Sequence, residues 1–225
     1  MRYLLSILLL FITAYAQGQT SVCYGTTKHG RLAHAAKLPY QGKNFISYGN
    51  YPELAERTYV HSLVKKIVVK TYEKLETLAP NRVFKYAETG FKDGGRFPPH
   101  KTHQNGLSID FMVPVINTDN KSVYFPTKKS NRYGYDVEFN TQGKSKYYTI
   151  DFDALAMHIA TLHKVAKENG VDLWRVLFAP DLQAKLYMTA HGDYIKENIH
   201  IPTKRSWVRH DEHYHIDFDV KCRKM

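Results

Sequence analysis

The sequence predicts a single α+β domain, built from a small, mostly antiparallel sheet that is flanked by helices. Some stretches carry apolar residues at helical period, and others are apolar or alternating over the length of a strand. The 225-residue chain has no internal repeat, no low-complexity tract and no linker that would divide it. These observations favour one core in which helices cover a mixed or antiparallel sheet.

The helices are predicted from apolar periodicity and from the residues that bound it. Three helical segments are expected, over residues 53–79, 152–167 and 180–187. Pro80 ends the first, because proline cannot continue a helix. Asp151 is a suitable N-cap for the second, which stops before Gly170. Pro180 opens the third.

The strands are predicted from short apolar or alternating runs. They are expected over residues 83–89, 108–115, 146–150, 172–178 and 213–220. Between the second and third of these runs, residues 117–143 are polar and rich in Asn, Lys, Ser, Thr and Tyr. This composition is typical of an exposed excursion. It forms either the rim of a binding groove or a surface loop without a role.

The N-terminal residues predict an exported protein. Arg2 precedes an apolar run over residues 4–12, and Ala14-Tyr15-Ala16 provides a small-x-small cleavage pattern. Cleavage after Ala16 would remove residues 1–16 as a signal peptide and leave residues 17–225 as one domain, periplasmic or secreted. The alternative is an uncleaved N-terminal anchor. No other stretch approaches the roughly 20 apolar residues of a membrane helix, so no membrane span is expected after cleavage.

Charge and cysteine content restrict the partners and the compartment. The chain has 32 basic and 21 acidic side chains, a formal net charge of +11, which becomes +10 once Arg2 is removed. A basic surface favours an anionic partner such as nucleic acid, lipid headgroups or a cell-wall polymer, without selecting one. In an exported chain, Cys23 and Cys222 are expected to form a disulfide that joins the two ends. Two unpaired buried thiols are the alternative.

Histidines and acids are concentrated at two places far apart in the sequence. The first group is His100, His103 and Asp110; the second is His210, Glu212, His213 and His215. Zinc accepts imidazole and carboxylate ligands, and a catalytic zinc needs only three of them. The two groups therefore predict a split zinc site. The alternative for each histidine alone is an ordinary core or surface residue.

Local geometry selects candidates within the two groups. Gly106 permits a tight bend before the strand that carries Asp110. His213 and His215 lie two apart, so both project from one face of an extended strand. This arrangement makes His103, Asp110 and His215 the expected ligands, with His213 beside a bound water.

These residues resemble a known group of enzymes. The pattern of His103, six residues, Asp110 and a distant His-x-His is similar to the lysostaphin and D-alanyl-D-alanine metallopeptidases. The longer string from Gly94-Gly95-Arg96-Phe97 through Asp110 resembles one branch, the penicillin-insensitive murein endopeptidases. The order His210-x-x-His213-x-His215, followed by Cys222, also matches that branch. The resemblance extends over nearly all of the chain after the predicted signal peptide.

The resemblance implies a zinc peptidase that hydrolyses the D-alanyl to meso-diaminopimelyl cross-link of peptidoglycan through a zinc-activated water. By motif, His103, Asp110 and His215 match the ligands, His213 the general base, and His100 and His210 two further site histidines. Arg96 is a candidate for binding a substrate carboxylate. Glu212 resembles the base of the related D,D-dipeptidases and competes with His213. Strand alternation puts Glu212 on the far face from His215 unless the strand begins with a bulge or turn there, and this favours His213.

Three other functions are compatible with the sequence. A zinc D,D- or L,D-carboxypeptidase, or a dipeptidase, would use the same ion on another peptide bond. A non-catalytic module could hold cell-wall peptide without cutting it. A metal-dependent nuclease is disfavoured, because such enzymes often prefer magnesium, whereas ligation by several histidines indicates zinc. Peptidoglycan, and no nucleic acid, is therefore the expected partner, and Zn²⁺ the expected cofactor.

Overall fold

A computed structural model of the chain describes residues 19–49, 51, 54 and 56–225. The strands among them are β1 (Val22–Thr26), β2 (His29–Ala33), β3 (Ala36–Lys37), β4 (Phe45–Ser47), β5 (Tyr59–Val60), β6 (Phe84–Tyr86), β7 (Ser108–Met112), β8 (Val115–Asn117), β9 (Ser122–Val123), β10 (Tyr148–Ile150), β11 (Asp172–Leu177) and β12 (His213–Asp219). The helices are α1 (Ser62–Leu78), α2 (Phe152–Glu168), α3 (Gln183–Tyr187) and α4 (Gly192–Asn198), with 3₁₀ turns at Lys129–Gly134 and Pro180–Leu182. The predicted signal peptide lies outside the described residues.

The main sheet has five strands in the order β11-β12-β7-β6-β4. All neighbouring pairs are antiparallel except β4 and β6, which are parallel, so the predicted small mixed sheet is confirmed. Strands β12 and β7 lie at its centre, and only the last residue of β12 is exposed. Their pairing brings together two segments that are about a hundred residues apart in the chain.

Helix α1 starts later than the apolar pattern predicts. The start at residue 53 is wrong, because residues 59 and 60 pair with β3 as strand β5. His61 is the N-cap of the helix and accepts a hydrogen bond from the backbone N–H of Leu63 at 3.2 Å. The end before Pro80 is confirmed. Periodicity extended too far here because Tyr59, an apolar residue of the short strand β5, continued the helical pattern.

Helix α2 follows the prediction closely and packs against both α1 and the sheet. Its N-cap is Asp151, whose side chain accepts from the backbone N–H of Ala154 at 3.0 Å. His158, in the middle of the helix, is fully buried and forms a 2.8 Å hydrogen bond with the hydroxyl of Tyr214 on β12. Burial lowers the pKa of His158 to about 3, so its ring is neutral. This contact places Tyr214 on the helix-covered face of the sheet, as strand alternation predicts.

The two ends of the described chain are joined to each other. Cys23 on β1 and Cys222, after β12, form a disulfide, which confirms the predicted pair. Backbone hydrogen bonds at 2.9 Å and 2.8 Å connect Arg223 with Cys23 and Gly25. In the part of the chain that the structure describes, no helix is long and apolar enough to cross a membrane.

The disulfide is expected to contribute strongly to stability, because it closes a loop of 199 residues. In the chain-entropy model, replacing both Cys23 and Cys222 by serine lowers the free energy of unfolding by at most about 5 kcal/mol. Urea denaturation of the double variant beside the oxidised parent measures the difference. Two reactive thiols per denatured, non-reduced parent chain would contradict the bond itself.

Candidate metal centre

Both histidine groups meet at one cleft of about 960 Å³. Six of the seven residues in the two groups line it: His100, Asp110, His210, Glu212, His213 and His215. The seventh, His103, is fully buried beside Asp110. The cleft therefore unites the two groups, as the split-site prediction requires.

The central strand pair and a tight turn bring these residues together. The register of β7 with β12 places His215 directly opposite Asp110. The turn before β7 has Gly106 at φ +76°, where an added Cβ would lie 2.5 Å from the Leu32 side chain. His103 also has a positive φ, of 68°. Left-handed backbone is costly for a residue with a side chain, and such strain is concentrated at functional sites.

One oxygen of Asp110 faces two histidines. Asp110 Oδ1 lies 2.8 Å from His215 Nδ1 and 3.3 Å from His103 Nε2. The second nitrogen of each ring lies within hydrogen-bond distance of an oxygen on the side away from Asp110. His103 Nδ1 donates to the carbonyl oxygen of Thr89 at 3.0 Å, and His215 Nε2 lies 2.9 Å from Asp217 Oδ1. Fixing the outer nitrogen of a histidine by a carbonyl or carboxylate is characteristic of metal sites, where it orients the ligand.

The second oxygen of Asp110 faces a different set of groups. Asp110 Oδ2 accepts a hydrogen bond from the hydroxyl of Tyr135 at 3.1 Å. It also lies 3.6 Å from His100 Nδ1 and 3.9 Å from His213 Nε2. Burial, then the charges of Asp110 and Glu88, raises the pKa of Tyr135 well above its ordinary value, so the phenol stays a donor.

The donor set fits a metal ion. His103 Nδ1 donates to a carbonyl, so Nε2 of the neutral ring carries no proton and can only accept. This buried Nε2 has no hydrogen-bond partner among the residues the structure describes, and it faces an anionic carboxylate. His100, His103 and Asp110 can also offer one ligand atom each, within 4.8 Å of one another. A cation between these acceptors would satisfy them.

The charges of the centre are strongly coupled. Burial would raise the pKa of Asp110, but the nearby histidines, His103 and His213 foremost, hold it well below its usual range. Burial would lower the pKa of His215, and the carboxylates of Asp217 and Asp110 instead raise it to about 10. The carboxylate of Asp110 is thus kept ionised, as a metal ligand must be.

Glu88 positions His100 and was not predicted from the sequence. This buried carboxylate accepts hydrogen bonds from His100 Nε2 and from Arg57 Nε. Burial would raise the pKa of Glu88, but His100 and Arg57 outweigh it and lower the pKa. The hydrogen bond to Nε2 leaves His100 Nδ1 to face Asp110. No motif marks Glu88, because it reaches His100 only through the tertiary fold.

Glu212 lies beside His213 rather than on the far face of the strand. The expected far-face position is wrong, because β12 begins only at His213 and the alternation does not extend to Glu212. Glu212 Oε1 instead lies 2.8 Å from His213 Nδ1. Burial would lower the pKa of His213, but the charges of Glu212 and Asp110 outweigh it and raise the pKa. Glu212 and His213 therefore act as a pair.

His210 is held as a neutral ring at the cleft. Its Nδ1 donates to the carbonyl oxygen of Val208 at 3.0 Å, and its backbone φ is 60°. Burial, and then the neighbouring rings of His213 and His215, lower the pKa of His210 to about 3. Its Nε2 is therefore an acceptor and not a donor.

The rim of the cleft is basic and includes the polar excursion. Arg96, predicted to bind substrate, is exposed and is not among the residues that line the cleft, so its role stays a prediction. The basic lining residues include Arg57, Lys101, Lys129, Arg132, Arg175, Arg205 and Arg209. Residues 129–138 contribute six lining side chains, as the rim interpretation of residues 117–143 predicts.

An α+β domain that gathers histidines and a carboxylate at one cleft, where they could hold a metal ion, has an arrangement found in hydrolases. A family model described as penicillin-insensitive murein endopeptidase matches residues 23–224. The chain therefore belongs to the penicillin-insensitive murein endopeptidase family, as its motifs predicted. No curated protein matches the chain.

The ligand set can be determined by measuring bound zinc. We expect His103→Ala, Asp110→Ala and His215→Ala each to lose the metal, because the two histidines face the same oxygen, Oδ1, of Asp110. His100→Ala should retain most of it, since His100 faces the other oxygen. Elemental analysis of each purified variant gives the zinc content, with His200→Ala, at an exposed position, as the control. Zinc-loaded His215→Ala together with zinc-free His100→Ala would make His100 the third ligand.

Proposed function

We propose that the protein is a zinc-dependent endopeptidase that hydrolyses the D-alanyl to meso-diaminopimelyl cross-link between stem peptides of peptidoglycan. Family membership supports peptidoglycan peptide as the substrate. The observation that carries the metal is the buried, unprotonated His103 Nε2 that faces the ionised Asp110. Imidazole and carboxylate together are ligands that zinc prefers.

In this proposal His103, Asp110 and His215 hold the ion. When bound, zinc supplies Lewis acidity towards the scissile carbonyl and lowers the pKa of a water. The residues of the chain position the peptide and move the proton. No covalent intermediate with a side chain is required, which agrees with insensitivity to β-lactams, since those compounds acylate a serine nucleophile.

His213 is the proposed general base. Its Nδ1–H donates to Glu212 at 2.8 Å, which leaves Nε2 directed at Asp110 Oδ2, 3.9 Å away. Nε2 takes a proton from the attacking water and returns it to the nitrogen of the departing amine. Glu212 fixes the tautomer of His213 and stabilises the charged ring. The two candidate bases thereby become one base and its partner.

The remaining cleft residues are proposed to bind the peptide. The neutral His210 presents an acceptor at Nε2 that suits an amide N–H of the substrate. Basic side chains at the rim suit the carboxylates of stem peptides; Lys101, Arg132 and Arg205 are examples. Arg96 stays a candidate of the same kind, outside the cleft.

Export is proposed on the basis of the disulfide. A bond between Cys23 and Cys222 is typical of an oxidising compartment, and peptidoglycan lies outside the cytoplasm. We propose that residues 1–16 are a cleaved signal peptide, that residues 17–225 are the metallopeptidase domain, and that the compartment is the periplasm.

Digestion of defined muropeptide dimers tests the proposed function. We expect two monomers, complete loss of the reaction with a chelator, recovery with added zinc, and no inhibition by penicillin. Mass spectrometry of the products identifies the bond that is cut. Release of a terminal D-alanine from monomers would indicate a carboxypeptidase instead. Binding of the dimer without any cleavage would indicate a non-catalytic module.

The assignment of the base predicts different losses for two neighbouring residues. His213→Ala should keep its zinc yet lose roughly 10²- to 10⁴-fold in rate, the range for removal of a general base. Glu212→Gln should stay within about tenfold of the parent, because the amide oxygen can still accept from His213 Nδ1–H. Steady-state rates are compared at equal zinc content. A zinc-loaded but inactive Glu212→Gln, beside an active His213→Ala, would reverse the two roles.

A further inference from the structure

Tyr135, in the polar excursion of residues 117–143, reaches the metal centre through a side-chain hydrogen bond. Its hydroxyl donates to Asp110 Oδ2 at 3.1 Å. Its ring packs edge-on against His213, with centroids 4.9 Å apart, and lies 6.0 Å from His100. An ionised carboxylate oxygen can only accept a hydrogen bond, so the phenol hydroxyl is the donor. The contact is therefore a hydrogen bond from a neutral group to one oxygen of a proposed ligand.

The backbone before Tyr135 is bent into an unusual turn. Arg132, Tyr133 and Gly134 all have positive φ, at 47°, 58° and 104°. A Cβ on Gly134 would lie 3.1 Å from both the Met112 and Thr127 side chains, so the turn packs closely on β7. Three successive residues in this region of φ persist only where surrounding contacts hold them.

Asn131 provides the contacts inside this turn. Its Oδ1 accepts from the backbone N–H groups of Lys128 at 2.8 Å and Gly134 at 3.0 Å. Its Nδ2 donates to the carbonyl oxygen of Pro126 at 2.9 Å. One side chain thus satisfies three backbone groups and holds the bend that points Tyr135 into the cleft.

Residues 125–139, which we call the tyrosine strap, are attached to the domain at both ends. At the first end, Lys85 Nζ donates to the carbonyl oxygen of Phe125 at 2.7 Å and to the hydroxyl of Thr127 at 2.8 Å. At the second, the backbone N–H of Phe139 donates to Asp211 Oδ2 at 2.6 Å. The buried rings of Phe125 and Phe139 lie 6.2 Å apart and close the strap at its base. The residues between these ends, Tyr135 among them, are thereby tied to the domain on both sides.

We propose that Tyr135 is a positioning residue of the metal centre, and that the tyrosine strap exists to hold its hydroxyl on Asp110 Oδ2. The hydrogen bond occupies Oδ2, so only Oδ1, the oxygen nearest His103 and His215, is presented to the ion. A carboxylate that offers one oxygen leaves a coordination position open, which a catalytic zinc site needs. This inference rests on the proposed function, since it takes zinc as the bound ion.

Tyr135→Phe tests the proposal because it removes only the hydroxyl and keeps the ring against His213. Loss of an outer hydrogen bond to a ligand costs about 10- to 100-fold in metal affinity, and we expect a loss of that size in competition with a chelator. The cobalt-substituted variant should absorb visible light more weakly than the parent, because Asp110 can then offer both oxygens and raise the coordination number. The metal-free variant should unfold at a somewhat lower temperature than the parent, because buried Asp110 loses one donor, yet it should stay folded at the temperature of the zinc titration. Tyr124→Phe is the matched control, because Tyr124 is exposed and lies immediately before the tyrosine strap.

A second variant tests the strap. Asn131→Ala should weaken zinc binding in the same direction, because the turn no longer holds Tyr135 in place. In a Tyr135→Phe background the Asn131→Ala change should cause no further loss, since both act through one hydroxyl. Full additivity of the two losses would overturn the role of the strap.

The outcomes separate this inference from the proposed function. A parent that binds zinc and cuts cross-links, beside a Tyr135→Phe variant with unchanged zinc affinity and cobalt spectrum, overturns the inference alone. A parent that binds no zinc overturns both. A Tyr135→Phe variant whose only change is a lower unfolding temperature of the metal-free protein would make Tyr135 structural and would also overturn the inference.

Discussion

The buried carboxylate of Asp110 is the group on which the rest of the site depends. An ionised carboxylate without contact to water is costly unless positive charge or hydrogen-bond donors surround it. Here Oδ1 faces His103 and His215, whereas Oδ2 faces Tyr135 and two further histidines. Each of these groups is in turn held by a residue behind it. The residues of the centre are therefore arranged in two layers around one charge, the carboxylate of Asp110.

The sheet provides the rigidity that this arrangement requires. Asp110 and His215 lie opposite each other on the two central strands, so backbone pairing fixes their separation. Behind β12, Tyr214 joins the strand to helix α2 through His158. A side chain on the inner strands of a packed sheet cannot shift without moving the core. Sites built on such elements keep their geometry better than sites on loops.

The parts of the site outside the sheet are held by strained or compact turns. His103 and His210 both have positive φ, and the same is true of two non-glycine residues that precede Tyr135. Each such residue costs free energy that the packing around it must offset. The disulfide between Cys23 and Cys222 and the attachment of the tyrosine strap at both ends contribute to that packing. Part of the folding free energy of this domain thus offsets the strain of the residues that position the side chains of the site.

Much of the protein was determined by local features of its sequence. The mixed sheet, helix α2 with its Asp151 cap, the cysteine pair and the meeting of the two histidine groups all follow from spacing, capping and motif, which act over a few residues. Only the tertiary structure decided that Glu88 holds His100, that Glu212 pairs with His213 and that Tyr135 reaches Asp110. These contacts depend on where a strand begins and how a loop folds back. Such distances arise from packing of the whole chain, and no local pattern records them.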